Sequence, residues 1–271
     1  MAEQEDTVNQ ENIELKGVSE ESTFSPEPSP KESLLYAENI HKAFKKKKAV
    51  QGISLAIKKG EIIGLLGPNG AGKSTFFKSL IGVLRPDKGK IMFKGEDITS
   101  YKMYERASIG IAYLPQEKSI FRGLTVKENI LAILDFVEPD FHAKMNRLDE
   151  LLEELNLTSL ADNLSESLSG GETRRLEFTR SMVSNPEVFL LDEPFAAIDP
   201  IAVDEIKEII VKLSKKEIST IITDHNVRET LSITDRSYII NEGKLLRHGK
   251  PDELINDPLV KQIYLGKSFN L

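Results

Sequence analysis

The chain contains no cysteine, which excludes a disulfide framework and any thiolate-ligated zinc site. No apolar run approaches the roughly 18 residues that a membrane-spanning helix needs. The N-terminus is acidic where a secretory or mitochondrial leader would be basic. Together these absences imply a soluble chain that stays inside the cell. The body of the chain also lacks a charge excess. Residues 1–33 hold nine acidic residues against Lys16 and Lys31, which accounts for the whole net charge of −7. The neutral remainder has no electrostatic footprint for nucleic acid, so no nucleic-acid partner is expected. No internal repeat is present.

Against these absences stands one concentrated signal. A short apolar run, Ile62 to Leu66, breaks into Gly67-Pro68-Asn69-Gly70-Ala71-Gly72-Lys73-Ser74-Thr75. Glycines at 67, 70 and 72 let successive backbone N–H groups turn inward and cradle a phosphate at a helix N-terminus. Lys73 then reaches the β and γ phosphates, and the Ser74 hydroxyl ligates Mg²⁺. This is the P-loop pattern, sitting between a strand signal and a helix signal as its mechanism requires.

The rest of the chain reads as alternating strands and helices. Residues 1–33 have too few apolar side chains to offset the entropy of ordering them and are expected to form a disordered acidic tail. Leu34 to His41 and Ala49 to Ile57 read as strands joined by a charged loop containing Lys45 to Lys48. The P-loop helix runs from Ser74 to about Gly82, with strands at Ile91 to Lys94 and Ile109 to Leu114. From about 117 to 185 the pattern turns helical, and Leu148, Leu151, Leu152, Leu155 and Leu157 form a packing stripe. Strands follow at Val188 to Leu191, Ile218 to Thr223, Ser237 to Asn241 and Lys244 to Arg247. The expected fold is α/β: a RecA-like P-loop core with an antiparallel β subdomain and an inserted helical subdomain, over 34–271. Ligand sites then lie at the carboxyl ends of the strands.

Three further elements fit that placement. Asp192 ends a buried strand, where a carboxylate holds Mg²⁺ beside a P-loop. Glu193 is one residue on and faces elsewhere, where it can orient a water for attack on a γ-phosphate. Leu168-Ser169-Gly170-Gly171-Glu172 opens another helix N-terminus, a second anion site. One phosphate chain cannot be cradled fully by two separate helix ends of one subunit, so this end is expected to serve the nucleotide of a partner.

The P-loop, Gln116, Leu168 to Glu172, Asp192-Glu193, Ala197-Ile198-Asp199 and His225 occur in the order and approximate spacing of ABC-transporter ATPase domains, which the chain resembles over residues 34–271. The resemblance implies ATP and Mg²⁺ as ligands and a homodimer docked on integral-membrane transporter subunits at the cytoplasmic face of the inner membrane. It implies Gln116 as the residue sensing Mg²⁺ and the attacking water, and Ser169 with Gly171, flanking Gly170, contacting the γ-phosphate across the dimer. Asp199 would lie at that interface, and His225 would be the switch histidine ordering Glu193. Phe44 stands where the family stacks an aromatic, frequently tyrosine, on adenine. Glu172 replaces the glutamine often found after the two glycines. The long acidic tail departs from the family's usual beginning near the first strand.

Within the family, Tyr113 to Leu124, Asp192 to Pro200, Thr223 to Leu231 and the ending Tyr264 to Leu271 look like the ATPases of lipopolysaccharide exporters. ATPases of branched-chain amino-acid importers are the nearest competitor. The helical subdomain and the Gln116 loop would flank a groove for a short helix of the membrane partner, with Phe121 as a candidate apolar contact. Soluble ABC ATPases of DNA repair, chromosome organisation or translation are the rival class. The absence of zinc cysteines, the short span between Gly72 and Ser169 and the single P-loop count against them. A P-loop kinase would leave Ser169 to Glu172 and His225 without a use.

Overall fold

In the computed structural model, residues 29, 31–266 and 269 are described. The acidic stretch 1–33 therefore falls almost wholly outside them, as does much of the ending after Leu265.

The centre is Ile62–Leu66 (β3), buried at all five positions. A strand covered on both faces reads as a continuous apolar run, and period two divides its side chains between two cores. Ile63 and Leu65 enter one core, Ile62 the other. Around β3 lie Ile111–Leu114 (β6), Val188–Asp192 (β7), Ser219–Thr223 (β8), Arg236–Asn241 (β9) and Lys244–Gly249 (β10). Their order is β10-β9-β3-β8-β7-β6, parallel except for the antiparallel edge strand β10. The carboxyl ends of β3, β7 and β8 thus emerge side by side, carrying the P-loop, Asp192-Glu193 and Asp224-His225.

A second, antiparallel sheet has the order β2-β1-β4-β5, from Leu35–Phe44 (β1), Lys47–Ile57 (β2), Lys88–Phe93 (β4) and Glu96–Asp97 (β5). Its apolar face shares one core with Lys73–Ile81 (α1) and with Ile63, Leu190 and Ile221 of the parallel sheet. The expected four-lysine loop is corrected here. Only Lys45 and Lys46 turn, and Lys47 and Lys48 pair with Phe44 and Ala43 in the ladder. Lys45 adopts φ 52, the left-handed conformation that a two-residue hairpin turn demands. No glycine marks the turn, so the sequence carried no signal for it.

Between β6 and β7 come Val126–Val137 (α3), Phe141–Glu154 (α4) and Gly170–Met182 (α5). They pack on the other face of the sheet with Pro200–Lys215 (α6), and the leucines at 148, 151, 152, 155 and 157 are buried there. Met103–Ser108 (α2), which no periodicity announces, delivers Arg106 into the interior. That guanidinium is 1 % exposed and donates to the carbonyls of Ser79, Leu80, Ile98, Thr99 and Tyr101. It thereby supplies a donor to the Leu80 carbonyl at the end of α1, and burial lowers its pKa to about 10. The chain continues through Val227–Leu231 (α7), Pro251–Asn256 (α8), Pro258–Val260 (α9) and a π-helical turn, Lys261–Leu265. Among the described residues no helix is long and apolar enough to cross a membrane.

Candidate nucleotide site

The P-loop is built around close backbone approach. Gly67 has φ +145, and a Cβ there would lie 2.0 Å from the Ile240 carbonyl oxygen. Gly72 has φ +105, and a Cβ there would lie 2.3 Å from the Ala49 carbonyl oxygen. Both glycines are thus required by space as well as by conformation. Gly70 meets nothing within 4 Å on its open side. The loop bounds a cleft of about 470 Å³ lined by residues 69–75 with Lys47, Ala49, Glu193, Thr223 and His225. Lys73 donates to the carbonyls of Gly67 (2.6 Å) and Pro68 (3.1 Å), which pins its ammonium over the cradle. Burial holds its pKa below the usual lysine value, partly offset by the Glu193 charge. An anion arriving there meets an ammonium already stripped of much of its water.

Glu193 is the hub of the cleft. One carboxylate oxygen lies 2.7 Å from His225 Nε2, and the other accepts from Gln116 Nε2 at 2.6 Å. Its backbone has φ 49, left-handed and uncommon for a residue with a side chain. That twist turns it away from Asp192, and the Glu193 N–H donates to Thr223 O at 2.7 Å. Asp224 clamps the same region: it accepts from Phe195 N–H (3.0 Å) and Asn226 N–H (2.7 Å) while buried. Burial raises its pKa against those bonds. His225 is therefore held between two positions that Asp224 fixes.

Asp192 is partly buried, and burial raises its pKa, with the Tyr113 hydroxyl donating to it at 3.3 Å. Burial and the nearby Asp192 charge push Tyr113 up to about 12, so it stays a protonated donor. Phe44 stands at the end of β1, 46 % exposed, and does not line the cleft.

Ser169 to Gly171 also lie outside that cleft. Ser169 caps α5: its hydroxyl accepts from Glu172 N–H, and its own N–H donates to Glu172 Oε2. The Ser169 N–H and hydroxyl beside the Glu172 carboxylate hold its pKa below the ordinary carboxylate value. Gly171 has no room for a side chain, because a Cβ would meet Ala202 Cβ at 2.9 Å. Asp199 caps α6 through Ala202 N–H at 3.0 Å. The structure thus brings Gln116 and His225 together on Glu193 beside the P-loop, whereas the α5 N-terminus and Asp199 do not line that cleft.

Four residues near this site escape a reading by motif. Lys47 and Thr223 line the cleft, Tyr113 supports Asp192, and the Tyr264 hydroxyl accepts from Gly67 N–H while burial raises its pKa to about 12. Thr223 alone had a visible signal, standing at the carboxyl end of a strand just before Asp224-His225.

A parallel sheet whose carboxyl edge carries a glycine cradle, a buried lysine and a positioned carboxylate defines a P-loop nucleoside triphosphatase. A family model described as ABC transporter matches residues 50–196, and the chain belongs to that family. It is an ATP-binding subunit of an ABC transporter and an ATPase. A Haemophilus influenzae protein, "Lipopolysaccharide export system ATP-binding protein LptB", is 50% identical over 241 residues, 88% of this chain and 100% of the relative. The protein of that name from Escherichia coli K12 is 47% identical over the same shares. The crystal structure of MJ1267, an ATP-binding cassette of an ABC transporter in its ADP conformation, superposes with TM-score 0.78 at 29% identity. That match covers 87% of this chain and 99% of the other.

Proposed function

We propose that the chain is the homodimeric motor of a lipopolysaccharide exporter, hydrolysing ATP at the cytoplasmic face of the inner membrane to drive extraction of the glycolipid. The observation that carries the catalytic part is the Glu193 carboxylate, held between Gln116 and His225 at the rim of the P-loop cleft. The export part rests on near-half identity over the full length of relatives bearing that name.

Phosphoryl transfer is mostly positioning and charge stabilisation. ATP enters with its phosphates on the N–H groups of the loop, and Lys73 exchanges the Gly67 and Pro68 carbonyls for β and γ oxygens. Phe44, exposed at the end of β1, is free to stack on adenine. Ser74 and Asp192, with Gln116, would hold Mg²⁺. Among the described residues no cluster of three or more His, Cys, Asp or Glu forms a metal cage. Mg²⁺ characteristically takes one or two protein oxygens plus the phosphates, where it neutralises developing charge. Glu193 orients the attacking water and accepts its proton, and His225 contacts the γ-phosphate and holds Glu193 in place.

The α5 N-terminus lies outside the chain's own cleft and presents the first-turn N–H groups of Gly170 and Gly171, which lack intrahelical acceptors. They complete the site of a second copy, with Asp199 at the junction. Phe121, 44 % exposed, is offered to a helix of the membrane partner. A pull-down of the tagged chain from detergent-solubilised membranes, read by mass spectrometry, is expected to recover the transmembrane subunits of a lipopolysaccharide exporter. Recovery of an amino-acid permease pair would keep the motor and overturn the export assignment.

A further inference from the structure

α5 carries three charged residues at i, i+3 and i+6: Arg174, Glu177 and Arg180. Residues at that spacing share one helix face. All three grip the segment that follows β6 and contains Gln116. Arg174 Nη1 donates to Pro115 O at 2.9 Å, one residue before Gln116, and to Glu177 Oε2 at 2.9 Å. The other Glu177 oxygen accepts from Ser119 N–H at 2.6 Å, three residues after Gln116. Arg180 donates to the Ser119 carbonyl, and its guanidinium lies 4.3 Å from the centre of the Phe121 ring. The Gln116 loop is therefore bracketed on both sides of Gln116 by one helix. Glu177 is 2 % exposed and Arg174 6 %.

We propose that Glu177 is a positioning residue for hydrolysis, locking the Gln116 loop to α5 so that movement of the Ser169–Gly171 end is delivered to the Gln116–Glu193 contact. Stability alone accounts poorly for it. A buried ion pair is often no better for stability than apolar residues of similar volume. What the pair supplies is direction: two oxygens at fixed angles, one on the loop's backbone and one on the arginine that holds its other end. An apolar pair can fill the space without transmitting the geometry. The same helix that faces a second nucleotide thus steers the residue that touches the catalytic carboxylate. Through Arg180 and Phe121 it reaches the surface offered to the membrane partner.

This inference rests on the assignment of Gln116 and Glu193 to hydrolysis, which the loss of turnover in Glu193→Gln tests separately. The decisive variants are Glu177→Gln and the apolar pair Arg174→Met/Glu177→Leu in the full-length chain. Turnover, affinity for a fluorescent ATP analogue and the melting curve are measured for each. In Glu177→Gln the single amide oxygen can accept from Arg174 or from Ser119 N–H but not both, so a donor faces a donor at one end and that end of the loop is released. We expect kcat to fall about tenfold or more, as small misplacements in a catalytic constellation do, with nucleotide affinity within about twofold. The apolar pair should show the same loss of kcat at a melting temperature equal to or above that of the wild type. Wild-type kcat in the apolar pair would overturn the proposal. So would losses of kcat that merely track the unfolded fraction, and the pair carries the test if Glu177→Gln fails to fold.

Discussion

Glu193 takes its place from a backbone conformation that side-chain-bearing residues seldom adopt, with φ 49 at the end of β7. The conformation costs on the order of 1 kcal/mol and is repaid by its bond to Thr223 O and the contacts with Gln116 and His225. Strain held by surrounding contacts at a reacting centre is a recurrent arrangement. Glu193→Gln keeps the shape and removes the proposed base. Steady-state phosphate release should fall by roughly 100-fold or more, with ATP affinity within about twofold. Lys73 gives a prediction of a different kind. Its folded pKa lies below the unfolded value because of burial. A base shifted in that direction destabilises the fold wherever it is protonated, a penalty fully present below the folded pKa and relieved as pH rises toward the unfolded value. Lys73→Met should therefore be no less stable than the wild type in thermal melts at neutral pH, while losing nucleotide binding in a titration.

At the scale of elements, α2 and α5 do more than fill layers. Arg106 on α2 satisfies carbonyls at the end of α1 and around β5 from a position 1 % exposed. Arg106→Leu strands the Leu80, Thr99 and Tyr101 carbonyls, whereas Ser79 and Ile98 keep backbone donors. The cost should be about 3 kcal/mol in denaturant unfolding, since each buried unsatisfied group costs about 1–3 kcal/mol and part of the set can relax. These contacts mark the limit of what the chain's pattern reveals. The P-loop, Asp192-Glu193 and the Ser169–Glu172 box are legible because each is contiguous: strand, turn and helix signals adjoin the reacting residues. Arg106, Glu177 and Tyr113 are opaque because their partners are distant in sequence: Ser79, Ser119 and Asp192, respectively. A six-residue helix such as α2 is too short to show a period. The hairpin turn at Lys45–Lys46 hid because lysine, not glycine, takes the left-handed position.

Across the whole molecule the residues proposed to handle nucleotide divide between the P-loop cleft and a set that does not line it. The cleft holds the P-loop, Glu193 and His225, while the capped end of α5 and Asp199 stand apart from it. In the homodimer proposed above, a second copy facing the first brings its α5 N-terminus to the cleft and receives the same in return. On that proposal closure would depend on ATP and reopening on its hydrolysis, with the Gln116 loop and Phe121 passing the change to a membrane partner. The composite site is the central claim. Its most direct test is sedimentation of the Glu193→Gln chain with and without Mg-ATP. The account predicts a monomer without nucleotide or with ADP and a dimer with ATP. A chain that binds ATP and remains monomeric would contradict it.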